Sequence, residues 1–365
     1  MILRIGFTHT KVNLHFNNLN MSTPNHEIMS DQNLHDNQIL GRNQYTDLIV
    51  QSTAKYKIII AGPGTGKSFT FRKLLESKTG KNLALTFINN LAFDLQKDLQ
   101  EFAESHTFHG YCKKLLHRIW VEGIDSYFHY FPKLPLLIKA DADLIGLNLD
   151  NFDEAFQTLT EDDRIGFYLE RANYYNAVSH SDAVYRVLKY FRSGAAIFPS
   201  FCQIVVDEYQ DFNALEVAFI DELAKTSPVL IAGDDDQAIY NFKNAKPDYI
   251  RRKSFHPDFE KFELPYCSRC TQVVVDAVQD IIRKAKKLNK LQGRIDKQYI
   301  CFLPDKESDS NKWPQIIHVM CSTHTKITPY ISKYIEKEIL TIPQEEIDQA
   351  RNKGFPCVLI AGPSY

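Results

Sequence analysis

Eight residues, AGPGTGKS at positions 61–68, combine the features that phosphate chemistry requires. Gly64 and Gly66 leave room for backbone amides to turn around an anion, where a Cβ would block either the turn or the phosphate. Lys67 can reach β and γ phosphates, and the Ser68 hydroxyl can ligate Mg²⁺. Ala61 takes the place of the pattern's first glycine, and Gly62, Pro63 and Thr65 complete a phosphate-binding loop.

That loop alone fits kinases, GTPases and motor ATPases equally. Two acidic stretches narrow the choice. An apolar run ends in VDEYQD, residues 206–211. There Asp207 can hold Mg²⁺ through its water shell, while Glu208 can take a proton from an attacking water. A second apolar run, VLIAG at 229–233, leads into DDDQ, where Gln237 can sense a γ-phosphate or orient water. VLIAG returns at 358–362, and IIIAG stands at 58–62. A buried strand ending in Ala-Gly marks a place where backbone passes close to a ligand at the carboxyl edge of a parallel sheet.

The elements that must position these groups follow from periodicity. Strands are expected near 57–61, 83–87, 202–207, 229–233 and 260–264, with helices near 67–78, 89–104, 107–119, 183–193 and 213–226. This alternation predicts an α/β fold with a parallel sheet covered by helices. Between 113 and 182 the strand signal gives way to an aromatic-rich helical stretch, read as an inserted subdomain. Residues 1–38 are polar and aperiodic, read as a disordered tail, with Met21 and Met29 as alternative starts. After Tyr266 a new alternation opens: a helix at 271–288, strands near 298–303 and 315–320, a helix at 326–340 and the last VLIAG.

Composition bounds the rest. A chain of 365 residues, 44% hydrophobic, is long enough for two domains. Its 43 basic and 45 acidic side chains exclude a wholly basic nucleic-acid binder, so a polyanion must be met by a local site. No apolar run approaches the roughly 20 residues of a membrane span, and the N-terminus has no signal-peptide core; the chain reads as soluble and cytoplasmic. Seven cysteines, an odd number, suit a reducing compartment. Cys267 and Cys270 form one CxxC, but zinc needs four ligands and no second pair stands nearby, so both are read as ordinary thiols.

Taken together and in order, these segments resemble the UvrD/Rep/PcrA family of superfamily-one DNA helicases over residues 44–269. AGPGTGKS is similar to motif I, TFINNLA (86–92) to motif Ia, TFHGYC (107–112) to motif Ib, VDEYQD to motif II and GDDDQAIYNFKNA (233–245) to motif III. PYCSRCT (265–271) resembles motif IV, with Ser268 where the family's stacking Tyr stands. The resemblance implies a RecA-like P-loop NTPase domain (39–112 and 183–264) with a helical insertion (113–182), and an incomplete second RecA-like domain from 265. It implies ATP and Mg²⁺ as cofactors, Gln44 on the adenine edge, Glu208, Gln237 and Arg269 as catalytic groups, and Tyr266 as a substitute stacking ring. It also implies that Thr86, Phe87, Phe108, His109, Tyr240 and Phe242 contact single-stranded DNA; read without the motifs, Phe87 and Phe108 fit a core better. Phe242 and Lys243 stand where the family has Trp and Arg.

Motifs V and VI are not found in the sequence, so the expectation is the N-terminal part of a 3′–5′ helicase acting on single strands and duplex junctions, with a nuclease or a repair or defence protein as partner. The rival is a nucleotide-dependent DNA-binding or regulatory module with negligible hydrolysis. A small-molecule kinase does not account for VDEYQD and GDDDQAIY together.

Overall fold

The computed structural model describes residues 31–86, 97–119, 124–125, 127–195, 197–238, 243–312, 344–345 and 347–348. The chain divides into two compact units, Met29–Ser308 and Met1–Ile28 with Asp309–Tyr365. In the latter, the described residues are helical. The expected elements at 315–320, 326–340 and 358–362 lie outside the described residues.

Along Met29–Ser308, α1 (Asp31–Gln51) precedes β1 (Tyr56–Ile60), whose tip leads into α2 (Lys67–Glu76). β2 (Asn82–Thr86), β3 (Glu104–Thr107) and α3 (Phe108–Leu116) follow. Then come β4 (His129–Tyr130), α4 (Leu134–Leu144), α5 (Phe152–Thr158), α6 (Arg164–Tyr174) and β5 (Ala177–Val178), with β4 and β5 paired in parallel. α7 (His180–Arg192), β6 (Gln203–Val206), α8 (Ala214–Thr226), β7 (Val229–Gly233), α9 (Pro247–Ser254) and β8 (Phe259–Glu263) complete the main sheet. β9 (Tyr266–Cys267) and β10 (Ile300–Cys301), with α10 (Gln272–Lys287) between them in sequence, form a separate parallel pair.

The main sheet is parallel throughout, in the order β3-β2-β6-β7-β1-β8. Its central strands are continuous apolar runs because both faces are covered. Ile58 and Ile60 pack with Val206 and Ile231 on one face; Ile59 packs with Val205, Leu230 and the α2 residues Phe71 and Leu74 on the other.

Three expectations need correction. The polar tail does not extend to residue 38, since α1 begins at Asp31. Gln38 is buried, where its amide nitrogen donates to Cys301 O (3.3 Å) and its oxygen accepts from Leu303 N (2.8 Å). The segment ESHT is an edge strand, β3, aligned on β2 from Leu83↔Glu104 to Thr86↔Thr107. The stretch 113–182 is not free of strands, since β4 and β5 pair within it, and among its described residues Ile138, Phe156 and Tyr168 join the cluster that covers one sheet face.

Candidate active site

β6, β7 and β1 are neighbours in the sheet, so the loops after Val206, Gly233 and Ile60 emerge side by side at one edge. The loop after β1 is tied to β7 by Ala61 N donating to Gly233 O (3.1 Å) and closed by the Thr65 hydroxyl donating to Gly62 O (2.9 Å). Gly64 and Gly66 have φ of +71° and +93°, the left-handed region that glycine enters without strain. A Cβ on Gly64 would also lie 2.3 Å from the Arg269 Cβ. Gly66 caps α2, whose first turn carries no acidic residue, and its free amides and dipole face the loop.

Asp207 and Glu208 follow β6. Asp207 is buried, and its Oδ1 accepts from Glu208 N (3.0 Å). Burial pushes its carboxyl above the ordinary aspartate range, with Lys67 pulling it down and Glu208 pushing it up. Glu208 has φ of +52°, a sparsely populated conformation for a residue with a side chain, of a kind that concentrates at functional sites. Its carboxylate lies 3.3 Å from Lys67 Nζ and accepts from Gln210 Nε2 (2.7 Å). Gln210 Oε1 in turn accepts from Asp234 N (3.1 Å), and Asp234 Oδ2 accepts from Gln237 Nε2 (2.7 Å). A polar chain from Lys67 to Gln237 thus crosses all three strand tips.

Gly64, Lys67, Ser68, Asp207, Glu208, Gln237 and Arg269 line one cleft of about 360 Å³ together with Arg42. Its donor set suits a nucleotide with a divalent cation: amides and Lys67 for phosphate oxygens, and a hydroxyl and a carboxylate for a hard cation. The buried, proton-hungry Asp207 carboxyl is a second sign of fit, because a cation there would replace lost solvation.

Arg269 reaches this cleft on the loop after β9, held by Ser268 N donating to Gly64 O (2.9 Å). Gln44 does not: it is exposed on α1, while Arg42, Tyr45, Thr46 and Tyr266 line a smaller pocket beside Thr65 and Phe69. Sequence reasoning also passed over Gln210, which links two motifs, and Lys297. The Lys297 ammonium pairs with Asp234, with Asp235 at 2.8 Å and with Asp236 at 2.9 Å. No local pattern around Lys297 announces that role; only the fold brings it to residues some 60 positions away.

A model of the UvrD/REP helicase N-terminal domain family matches residues 161–259. The chain is similar to DNA helicase II of Haemophilus influenzae, 25% identical over 284 residues, covering 62% of this chain and 38% of that protein. It is similar to ATP-dependent DNA helicase UvrD1 of Mycobacterium leprae, 24% identical over 327 residues, 70% of this chain and 42% of the relative. Over a shorter 95 residues it is 38% identical to DNA helicase II of Escherichia coli, 24% of this chain and 13% of that one. The chain is thus similar to UvrD-like superfamily-one helicases. It spans about two fifths of the length of the first two relatives.

Among the UvrD-like motif residues expected on DNA, two are corrected. Phe108 is fully buried, its ring 5.4 Å from that of Phe212 and 5.1 Å from that of Phe219, and Thr86 is fully buried at the end of β2. Neither side chain can touch a strand while the core is closed. His109 is partly exposed, 3.7 Å from Glu216 and with its ring 5.0 Å from that of His180. Burial, with His180 and Lys243 nearby, holds its pKa down at about 3, so it is neutral at physiological pH. Phe87, Tyr240 and Phe242 lie outside the described residues. No described helix is long and apolar enough to cross a membrane.

Proposed function

We propose that this chain supplies the ATP-hydrolysing part of a 3′–5′ DNA helicase. The observation that carries the reading is the single cleft into which three adjacent strand tips and the Arg269 loop deliver Lys67, Asp207, Glu208, Gln237 and Arg269. ATP is the substrate. The amides of 64–67 and the Lys67 side chain bind its phosphates, which requires Lys67 to leave its ion pair with Glu208. Freed of that pair, Glu208 accepts the proton of the attacking water, Gln237 orients that water, and Arg269 meets charge developing on the γ-phosphate. Ser68 and Asp207 would hold Mg²⁺, which supplies charge neutralisation on the phosphate oxygens.

The domain division follows the same reading: residues 39–264 form a RecA-like domain with its insertion, and β9 with β10 opens a second. Closure of the second against the first on ATP moves single-stranded DNA along the track, of which Phe87, His109, Tyr240 and Phe242 remain the candidates. The test is ATP turnover with and without single-stranded DNA. Lys67→Ala should abolish stimulated turnover, and a variant as fast as the parent sinks the reading. Tight nucleotide binding without turnover by the parent chain favours the rival, a nucleotide-dependent DNA-binding module.

A further inference from the structure

The CxxC at 267–270 is not absorbed by the cleft chemistry, yet it brackets Arg269 and touches the phosphate loop. Cys267 ends β9, and Cys270 immediately precedes Thr271, the N-cap of α10. Cys270 N donates to Cys267 Sγ at 3.3 Å, the mark of a tight turn that brings residue 270 back over residue 267. The Tyr299 hydroxyl lies 3.0 Å from Cys267 Sγ and 3.5 Å from Cys270 Sγ, so one oxygen sits against both sulfurs. Both are free thiols; Cys267 is buried and Cys270 is partly exposed.

Two loop carbonyls are tied to this turn. Pro63 O accepts from Cys267 Sγ (3.3 Å) and from the Tyr299 hydroxyl (3.0 Å), and Gly64 O accepts from Ser268 N (2.9 Å). Between the cysteines, Ser268 Oγ is buried without a hydrogen-bond partner among the described residues, and the Arg269 Cβ occupies the space that a side chain on Gly64 would need. Any change of sulfur chemistry in the turn is therefore felt at Pro63, Gly64 and Arg269 together.

We infer that Cys267 and Cys270 form a reversible disulfide under hydroperoxide, and that its formation loosens nucleotide binding by pulling the Arg269 turn and the Cys267 S–H away from the phosphate loop. The coupling half rests on the nucleotide reading of the cleft. The partly exposed Cys270 sulfur takes the terminal oxygen of a hydroperoxide; the O–O bond breaks, an alcohol or water leaves, and Cys270 becomes a sulfenic acid. The Cys267 sulfur then attacks that sulfur, the S–S bond forms, the S–O bond breaks, and hydroxide leaves with the Cys267 proton as water. Two thiols and one hydroperoxide give one disulfide, water and the reduced peroxide.

The consequence for the loop follows from proton count. Reduced, the turn has two S–H groups and one O–H to serve Pro63 O and one another; oxidised, only the Tyr299 proton remains. Pro63 O then loses a donor, and the backbone at 268–269 must rotate to bring the sulfurs to bonding distance.

The experiment treats the full 365-residue chain with hydrogen peroxide, blocks remaining thiols, and digests it with trypsin, which cuts after Arg269. The expected product is a pair of peptides joined by Cys267–Cys270, absent after dithiothreitol. A fluorescent ATP analogue should bind the oxidised chain about tenfold more weakly than the reduced chain, the scale of one lost hydrogen bond in a closed site, with recovery on reduction. Cys270→Ser should keep the reduced parent's affinity and lose the response, and Cys267→Ser should lose the disulfide. A disulfide to Cys301, or only irreversible sulfinic acid, overturns the pairing. Equal affinity of the two mapped forms overturns the coupling. Absence of nucleotide binding by the reduced chain overturns the P-loop reading and the coupling with it, while the peptide masses still decide the disulfide.

Discussion

Burial, reinforced by the Glu208 charge, pushes the Asp211 carboxyl up to about 6 from its ordinary 3.8, and its Oδ1 has no hydrogen-bond partner among the described residues. With the folded pKa above the unfolded one, the native state holds a proton that the unfolded chain has lost between those values. Stability therefore falls as pH rises through that window, and the full cost is present above about 6. Asp211→Asn should raise unfolding stability by about 2–3 kcal/mol at neutral pH, and the gain should vanish below about pH 4. Urea titrations at both pH values check it; a variant less stable than the parent at neutral pH contradicts the argument. Phe108 gives a second residue-scale prediction. As a core ring, Phe108→Ala should cost about 3–5 kcal/mol of stability while leaving the DNA affinity of the folded fraction unchanged. Single residues were legible where backbone chemistry dictates the type, as at Gly64, Gly66 and Lys67. They were not where the same ring serves a core or a groove: the sequence shows that Phe108 is aromatic but not which way it faces.

Helix α8 begins with a complete capping box: Glu216 N donates to the Asn213 side chain (3.1 Å), and Asn213 N donates to Glu216 (2.8 Å). The same Glu216 is buried and meets Lys243 Nζ at 3.4 Å, so the cap also anchors the chain that follows the Gln237 loop. Asn213→Ala should cost about 1 kcal/mol from the lost cap, measured by thermal unfolding. Glu216→Ala should cost more, about 3–5 kcal/mol, because it also removes a buried carboxylate that pairs with Lys243. Equal losses for the two would show that the Lys243 pair contributes nothing. The elements themselves were largely readable. The strands β1, β2, β6 and β7 fall within a residue or two of the apolar runs, because a strand covered on both faces has no polar side to disguise it. β3 escaped because ESHT sits on the sheet edge, where only β2 pairs with it and polar side chains are tolerated.

What ties the sheet to residues 290–301 is charge buried far from its sequence neighbours. Lys297 reaches all three aspartates after β7, Arg251 takes Asp235 (2.9 Å) and Arg294 takes Asp236 (2.8 Å). The Asp234–Asp236 cluster is thus already filled by three cations and is a structural clamp behind Gln237, which itself bonds Asp234. Periodicity could not disclose this clamp, since the partners lie in different elements and each looks like a solvated charge in its own segment. Lys297→Met removes the cation that Asp234 and Asp235 share and leaves their side chains, almost fully buried, short of a counter-charge. The expected loss is about 3–5 kcal/mol of unfolding free energy, with weaker nucleotide binding as Gln237 loses a fixed Asp234. Because the clamp is shielded from solvent, the loss should persist in about 1 M salt, whereas an exposed pair such as Arg72–Glu76 should then contribute nothing measurable. A Lys297→Met deficit that disappears in salt would place the clamp at the surface and detach it from the cleft.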